Sequence, residues 1–383
     1  MKDKKRIGLL IDSLIGGGAE KVVLNLAEGF SSQGHDVHII LIKDKIQHDI
    51  NNSHYTIHKL SKDGVIFKSR LINKVMLSFK LRMLVQRIQS DGMPFSFFIS
   101  NDENMDRLSS QANLKNRFIL YHNSMLEFFK SKIGKATGLK RIIRAFRWKL
   151  KFKKTYDDQN IIAICEDQKN EILNGVGITP KSITVINNPL DFKKIHKISK
   201  GREQIPKQSF ILNVARINKR KRQDVLIRAF SKLKIKQNLL FIGDTYTESD
   251  KSYLKILIKL AEDLGLRDRV FFLGFKKNPY PYIKAADLFV LSSDNEGLSL
   301  VLIESLILGT KAISTNCPTG PSEILTGEFA QYLSPPGDEE ALALNIKKAL
   351  NAYPQIKEDL IARFNIESVI NKYISYCSPN KSF

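Results

Sequence analysis

Glu296 and Glu304 are the residues of this chain whose type and spacing best suit chemistry. They bracket a Gly-containing turn and an almost wholly apolar run, Leu300–Ile303, which continues past Glu304 as Leu306–Leu308. A helix apolar on every face belongs in a core, so this run reads as a buried helix beginning near Ser299. A carboxylate inside it is costly unless something hydrogen-bonds it, and Glu304 therefore needs a partner. Glu296 precedes the helix, beside N–H groups that lack intrahelical acceptors and at the positive end of the dipole, where anions and phosphates bind. One acid at a helix mouth and one on its flank suit a ligand that carries both phosphates and a polyol.

Repeated strand-and-helix units position these acids. Arg6–Ile11 reads as a buried parallel strand, followed by Gly16, Gly17, Gly18 and a helix from Lys21, then a second strand at Val37–Ile42. A Gly-rich turn at the carboxyl end of a strand is where open α/β sheets bind ligands. The glycines do not form GxGxxG and no acid ends the second strand, which argues against a nicotinamide site. Phe95–Ser100 and Phe118–Tyr121 read as further strands, the latter placing His122 and Asn123 at its carboxyl end. Strands at Ile161–Cys165 and Ile183–Ile186 close the first half, and the polar, basic residues 193–209 have the composition of a linker. A second series follows, with strands at Phe210–Ala215, Leu239–Gly243, Val270–Gly274, Leu288–Leu291 and Lys311–Ser314. The expected fold class is α/β: two doubly wound, Rossmann-like parallel-sheet domains, residues 1–195 and 196–364, facing across a cleft.

Charge narrows the partners. The chain has 61 basic and 39 acidic residues in 383, a net charge of +22, and most of the surplus falls in residues 1–200. A half so basic implies an anionic partner: nucleic acid, an anionic membrane or a phosphorylated substrate. Between about 64 and 90, Leu71, Ile72, Val75, Met76, Phe79 and Met83 recur at helical spacing among Lys68, Arg70, Lys74, Lys80, Arg82 and Arg87. Residues 128–154 contain eleven Lys or Arg and no acid, with Trp148 and an apolar stripe of Leu139, Ile142, Ile143, Phe146 and Leu150. Basic amphipathic helices of this kind lie on anionic membrane surfaces, so residues 68–87 and 130–154 are the membrane candidates; for the second the alternative is a solvated helix whose stripe packs on the domain core, and both hold if the stripe docks inward while the cations face lipid. No nucleic-acid motif is present and aromatic interleaving is sparse, which argues against a nucleic-acid partner. The N-terminus passes into a strand pattern without an apolar leader, and no run is long enough to cross a bilayer, so a cytoplasmic protein is expected. Cys165, Cys317 and Cys377 have neither metal-ligand nor disulfide spacing.

Together these stretches resemble the retaining glycosyltransferases of family 4, which have the GT-B fold. Glu296 and Glu304 stand as that family's E-x7-E, N-V-A-R-I-N-K-R-K-R-Q-D at 213–224 matches its phosphate-contacting loop, and I-N-N-P-L-D at 186–191 and the early G-G-G-A-E-K also fit. The resemblance implies a metal-independent transferase with no cofactor, using a nucleotide sugar, UDP-linked by expectation, as co-substrate. It implies Arg216 and Lys221 on the diphosphate, Glu296 on the sugar hydroxyls with the amides of Gly297, Leu298, Ser299 and Leu300, and Glu304 on the ribose. Gly274 and Phe275 would hold the base and Gly243 would lie in the donor loop, which reads Gly243-Asp244-Thr245-Tyr246 where relatives often have a second glycine. His122 matches the histidine near the reacting sugar, while Gly16, Gly17 and Gly18 would approach the phosphates or the acceptor. Asn101, Asp102, Glu103 and Asn123 are acceptor candidates. The last helix, within 365–383, would return to the first domain. The expected activity is transfer of a hexose or N-acetylhexosamine to a lipid-linked, lipopolysaccharide or capsule glycan at the inner membrane face. The alternatives are a soluble acceptor, or a non-catalytic protein that binds sugar nucleotides or nucleic acid.

Overall fold

The computed structural model describes residues 4–15, 17–47, 50, 54–134 and 137–378. Two compact units divide the chain: one runs to Leu190 and resumes at Phe364, and the other is Asp191–Arg363.

In the first unit, strands β1 (Arg6–Ile11), β2 (Asp36–Lys43), β3 (Thr56–Ser61), β4 (Phe95–Asn101), β5 (Arg117–Leu120), β6 (Asn160–Ala163) and β7 (Ser182–Val185) form one parallel sheet. Its order is β3-β2-β1-β4-β5-β6-β7. The central strands are buried on both faces and read as apolar runs, as parallel strands do. Strand β3 gives no such signal in the sequence because it is an edge strand with a mostly half-exposed, polar composition. Helix Ile366–Cys377 packs against helix Gly18–Ser32 of this unit. Gly29 admits it: an added Cβ there would meet Ile370 Cγ1 at 2.5 Å, and Tyr373 meets Phe30 edge-on at 6.1 Å between ring centres. Residues 379–383 of the expected returning segment lie outside the described residues.

In the second unit, β8 (Phe210–Val214), β9 (Asn238–Ile242), β10 (Val270–Phe272), β11 (Leu288–Leu291), β12 (Ala312–Thr315) and β13 (Leu333–Ser334) form a parallel sheet ordered β10-β9-β8-β11-β12-β13. The stretch with linker composition opens instead as helix Phe192–Ile198, which packs on helices Tyr280–Ala285 and Leu300–Ile307. For that reason the division falls at Leu190/Asp191 rather than at 195/196.

Each sheet has one switch point, where consecutive strands leave in opposite directions: between β1 and β4 in the first unit and between β8 and β11 in the second. Open α/β sheets bind ligands outside the carboxyl ends of the strands at such points.

Two helices of the first unit turn apolar faces outward. In helix Arg70–Ile88 the core takes Leu77, Leu81 and Val85, while Leu71, Val75, Phe79 and Met83 are exposed. The two sets are offset by two residues, roughly 200° around a helix of 3.6 residues per turn. Helix Gly138–Tyr156 repeats the arrangement: Phe152 and Tyr156 are buried, and Leu139, Ile142, Ile143, Phe146 and Leu150 are each at least 50% exposed. The stripes read from the sequence therefore do not pack on the core. No helix among the described residues is long and apolar enough to cross a membrane.

Candidate active site

The second unit brings Lys221 and Glu296 together across its switch point. Lys221 lies in the loop after β8 and Glu296 in the loop after β11, and the Lys221 Nζ donates to both Glu296 carboxylate oxygens, at 2.6 and 2.8 Å. Ser293 Oγ also donates to Glu296. The two loops are stitched along their length. Asp294 N donates to the Arg220 carbonyl at 2.9 Å and Ser292 Oγ to the Lys221 carbonyl at 2.9 Å. Arg222, held in the left-handed region at φ +47°, pairs with both Asp224 and Asp294. Thr319 Oγ1 donates to the Glu296 carbonyl, and Gly320 packs on the Gly297 carbonyl, where a Cβ would come within 2.5 Å. Burial, with the nearby Glu296 charge, pushes the Cys317 thiol up to about 12, so it stays protonated at neutral pH.

Helix Leu300–Ile307 starts directly after this turn, with Ser299 at its N-cap making no side-chain cap hydrogen bond. Gly297 and Leu298 precede the N-cap, and Ser299 and Leu300 open the helix, whose first-turn N–H groups have no intrahelical acceptor. Glu304, 3% exposed, finds its partner in Tyr280, whose hydroxyl donates to Oε1 at 3.2 Å.

Arg216 does not join the Lys221–Glu296 pair; an acid the sequence did not flag holds it. Its Nη2 donates to Asp250 Oδ2 at 2.6 Å and its Nε to the same oxygen at 3.2 Å, while its guanidinium lies over the Tyr246 ring at 4.8 Å. Asp250 also completes a capping box with Thr247 at the start of helix Glu248–Asp263. The Thr247-x-x-Asp250 spacing was the available signal. Gly243 lets these loops meet: at φ +151° its Cβ would lie 1.9 Å from the Ala215 carbonyl oxygen, and its N–H donates to the Gly274 carbonyl at 3.0 Å. Phe275 beside it is exposed. A cavity of about 340 Å³ opens next to this pair, lined by Arg202, Gln204, Leu273, Lys276 and Tyr282 among others.

The remaining candidates belong to the first unit. Gly17 caps helix Gly18–Ser32 with the Glu20 carboxylate folded against it, and Gly18 has open space where a Cβ would be. Gly16 lies outside the described residues. Asn101 ends β4 at the switch point, Asp102 caps the helix that follows it, and His122 follows β5. Three of the four acceptor candidates are already engaged. Asn101 is fully buried and bonded to His122. The Asp102 carboxylate accepts the amide N–H groups of Asp12, Asn104 and Met105 at 2.8–3.0 Å. Glu103 pairs with Arg107 and, at 3.9 Å, with Lys151. Asn123 is exposed. Asp102 sits at φ +77° and ψ 152°, a region nearly reserved for glycine, and burial pushes its carboxyl up to about 7. Burial also pushes the His122 imidazole down, to about 4.

Comparison with known proteins now identifies the class. Residues 16–194 match the family model described as Glycosyltransferase Family 4, and residues 195–363 match the model described as Glycosyl transferases group 1. The matches run end to end, and the chain belongs to the family-4 glycosyltransferases, with the GT-B architecture of two parallel-sheet units. It is similar to the N-acetylgalactosamine-N,N'-diacetylbacillosaminyl-diphospho-undecaprenol 4-alpha-N-acetylgalactosaminyltransferase of Campylobacter jejuni, 26% identical over 348 residues covering 90% of each chain. It is also similar to the capsular polysaccharide biosynthesis glycosyltransferase CapH of Staphylococcus aureus, 26% identical over 67% of this chain and 68% of that protein. Among solved structures, Anabaena HepE in complex with UDP-glucose superimposes with a TM-score of 0.73 at 19% identity, covering 97% of this chain and 99% of the other.

Proposed function

We propose that the protein moves a hexosyl or N-acetylhexosaminyl group from a UDP-sugar, with retention, onto a lipid-linked glycan at the cytoplasmic face of the membrane. The observation that carries the donor half is the Lys221–Glu296 pair at the switch point. Departure of UDP requires stabilising a diphosphate, and a lysine, an arginine and a helix mouth supply that electrostatically without a divalent metal. In this reading Lys221 and Arg216 take the diphosphate and Glu296 the sugar hydroxyls. Glu304 takes the ribose, and the base lies by Gly274 and Phe275. The bond from the anomeric carbon to the diphosphate oxygen breaks as the acceptor oxygen attacks from the same face, and the leaving phosphate takes the acceptor hydroxyl's proton. His122 accepts a hydrogen bond from a hydroxyl of the transferred sugar, and the Gly17–Gly18 turn admits phosphate or acceptor.

The acceptor half rests on the two helices with outward apolar faces. Among the described residues, twelve of the eighteen exposed large hydrophobic side chains lie at Val65–Met83 and Leu139–Leu150, and these stretches are set among lysines and arginines. Such surfaces suit an anionic bilayer, with each cation near it contributing about 1 kcal/mol. The C. jejuni relative, whose name specifies a diphospho-undecaprenol-linked acceptor, points the same way.

A UDP-release assay over a panel of UDP-sugars, with lipid-linked and soluble glycans as acceptors and the product anomer read by NMR, tests the reading. Glu296→Ala and Arg216→Ala should each abolish transfer; full activity in either refutes the site. Flotation with anionic vesicles should show binding at low salt that weakens at high salt, and no binding at low salt refutes the membrane half.

A further inference from the structure

We infer that Asn101 is a positioning residue that fixes the tautomer of His122, placing the proton on Nε2 and presenting Nδ1 as a bare hydrogen-bond acceptor. The inference rests on the proposed function only for what that acceptor meets; the tautomer follows from geometry alone.

Asn101 is the last residue of β4 and is completely buried at the switch point of the first sheet. Its Nδ2 donates to the Leu10 carbonyl at 3.1 Å and to the Ile99 carbonyl at 3.3 Å. Both partners can only accept, so the amide has one workable orientation. Flipping it would set Oδ1 against two carbonyl oxygens in a buried site with no donor between them. The orientation that satisfies the backbone turns Oδ1 to His122 Nε2, at 2.7 Å. An amide oxygen only accepts, so Nε2 must carry the proton.

The other ring nitrogen is then determined. Burial is the sole cause that moves His122, pushing it down to about 4, and no charged side chain contributes. Asp102, the adjacent acid, turns its carboxylate to the amides of Asp12, Asn104 and Met105. His122 is therefore neutral at pH 7 and Nδ1 keeps its lone pair. Among the described residues Nδ1 has no hydrogen-bond partner. What fits it is a hydroxyl donor, and in the proposed reaction that is a hydroxyl of the transferred sugar. An imidazole in the other tautomer would offer that hydroxyl a donor instead, and an imidazolium would offer a cation. Asn101 excludes the first without touching substrate, and burial excludes the second.

Long-range ¹H–¹⁵N spectra of the ring nitrogens in the full-length protein, with His122 assigned through His122→Gln, read the tautomer directly. The expected result is a single Nε2–H form from pH 5.5 to 8. A predominant Nδ1–H form in the wild type overturns the inference, and no variant is needed to see it. Asn101→Ala should replace the single form with a mixture and lower kcat by ~10-fold, the factor that the loss of one well-placed hydrogen bond, about 1.4 kcal/mol, represents. Asn101→Asp should raise the His122 titration point and move the acid limb of the pH–rate profile upward. A merely structural role for Asn101 would change stability but leave the tautomer and the pH profile in place, and that outcome also overturns it. If no sugar nucleotide supports transfer, the proposed function fails while the spectra still decide the tautomer.

Discussion

Replacing Lys221 by Ala should destabilise the second unit far more than loss of a surface ion pair does. The side chains of Lys221 and Glu296 are only 15% and 9% exposed. Removing one partner of a buried pair leaves an uncompensated charge and costs about 3–5 kcal/mol, against about 0–1 kcal/mol for an exposed pair. Ser293 still donates to Glu296, so the low end, about 3 kcal/mol, is the working figure. For a unit of roughly 170 residues, each kcal/mol moves the midpoint by about 2–4 °C, which predicts a fall of about 6–12 °C. The double variant Lys221→Met with Glu296→Leu removes both charges and should recover most of that loss while remaining inactive. Trp148 is the only tryptophan and belongs to the first unit, so far-UV circular dichroism rather than tryptophan fluorescence must follow the transition. A Lys221→Ala midpoint within 2 °C of wild type, or a double variant less stable than the single one, refutes the buried-pair reasoning.

Asp250→Asn should weaken binding of UDP, measured by calorimetry, by ~10-fold in the wild-type background but under ~2-fold in Arg216→Ala, because groups acting through one another are not additive; equal losses in both backgrounds would show that Asp250 acts only as a helix cap. Asp102→Gly should be more stable than Asp102→Ala by about 1 kcal/mol in urea denaturation, since both lose the same hydrogen bonds but only Gly relaxes a backbone costing about 1–3 kcal/mol, offset in part by its greater chain entropy; an Ala variant as stable as Gly removes the strain argument. Asp102 and His122 should impose opposite pH dependences. With its carboxyl raised to about 7 in the fold, Asp102 binds more protons folded than unfolded, so its contribution falls as pH rises from about 4 to about 7. His122, lowered to about 4, binds fewer protons folded, so its contribution grows from about pH 4 to about 6.5. His122→Gln should therefore unmask a decline in first-unit stability across that window, followed by Trp148 fluorescence, and a continued rise would contradict the assignment.

The candidate site of the second unit was legible in the sequence because its signals are local and of different kinds. The apolar run Leu300–Ile307 announces a buried helix, and an acid just ahead of it reads as the mouth of a site. Each central strand is a continuous apolar run, so most strand positions could be read within a residue or two. What could not be read was pairing over distance. Nothing in the spacing of Arg216 and Asp250, or of Glu304 and Tyr280, says that they meet; the fold brings the loop after β8 to the helix after β9, and the helix after β10 to the one after β11. The same limit applies to Asn101. As a polar residue at a strand end it reads as a ligand contact, whereas its side chain is spent on two backbone carbonyls and a histidine.

The two outward-facing helices show a different limit. Helical periodicity finds an apolar stripe but not the direction it faces, and a helix with two stripes about 200° apart offers the core a choice. In Arg70–Ile88 the core takes Leu77, Leu81 and Val85 and leaves the larger stripe of Leu71, Val75, Phe79 and Met83 outside. In Gly138–Tyr156 it takes the aromatic pair Phe152 and Tyr156, which pack edge-on or tilted into a cluster with Tyr121, Phe128 and Phe129, and leaves five aliphatic or aromatic residues outside. Ordinary folding pressure removes such stripes, because exposed apolar patches promote association. That two helices of one unit keep them, both flanked by cations, is therefore an argument about what the surface meets. In the proposed reading, the two stripes and their flanking cations together suit a surface that is anionic outside and apolar beneath, and the vesicle-flotation experiment decides between that and a soluble acceptor.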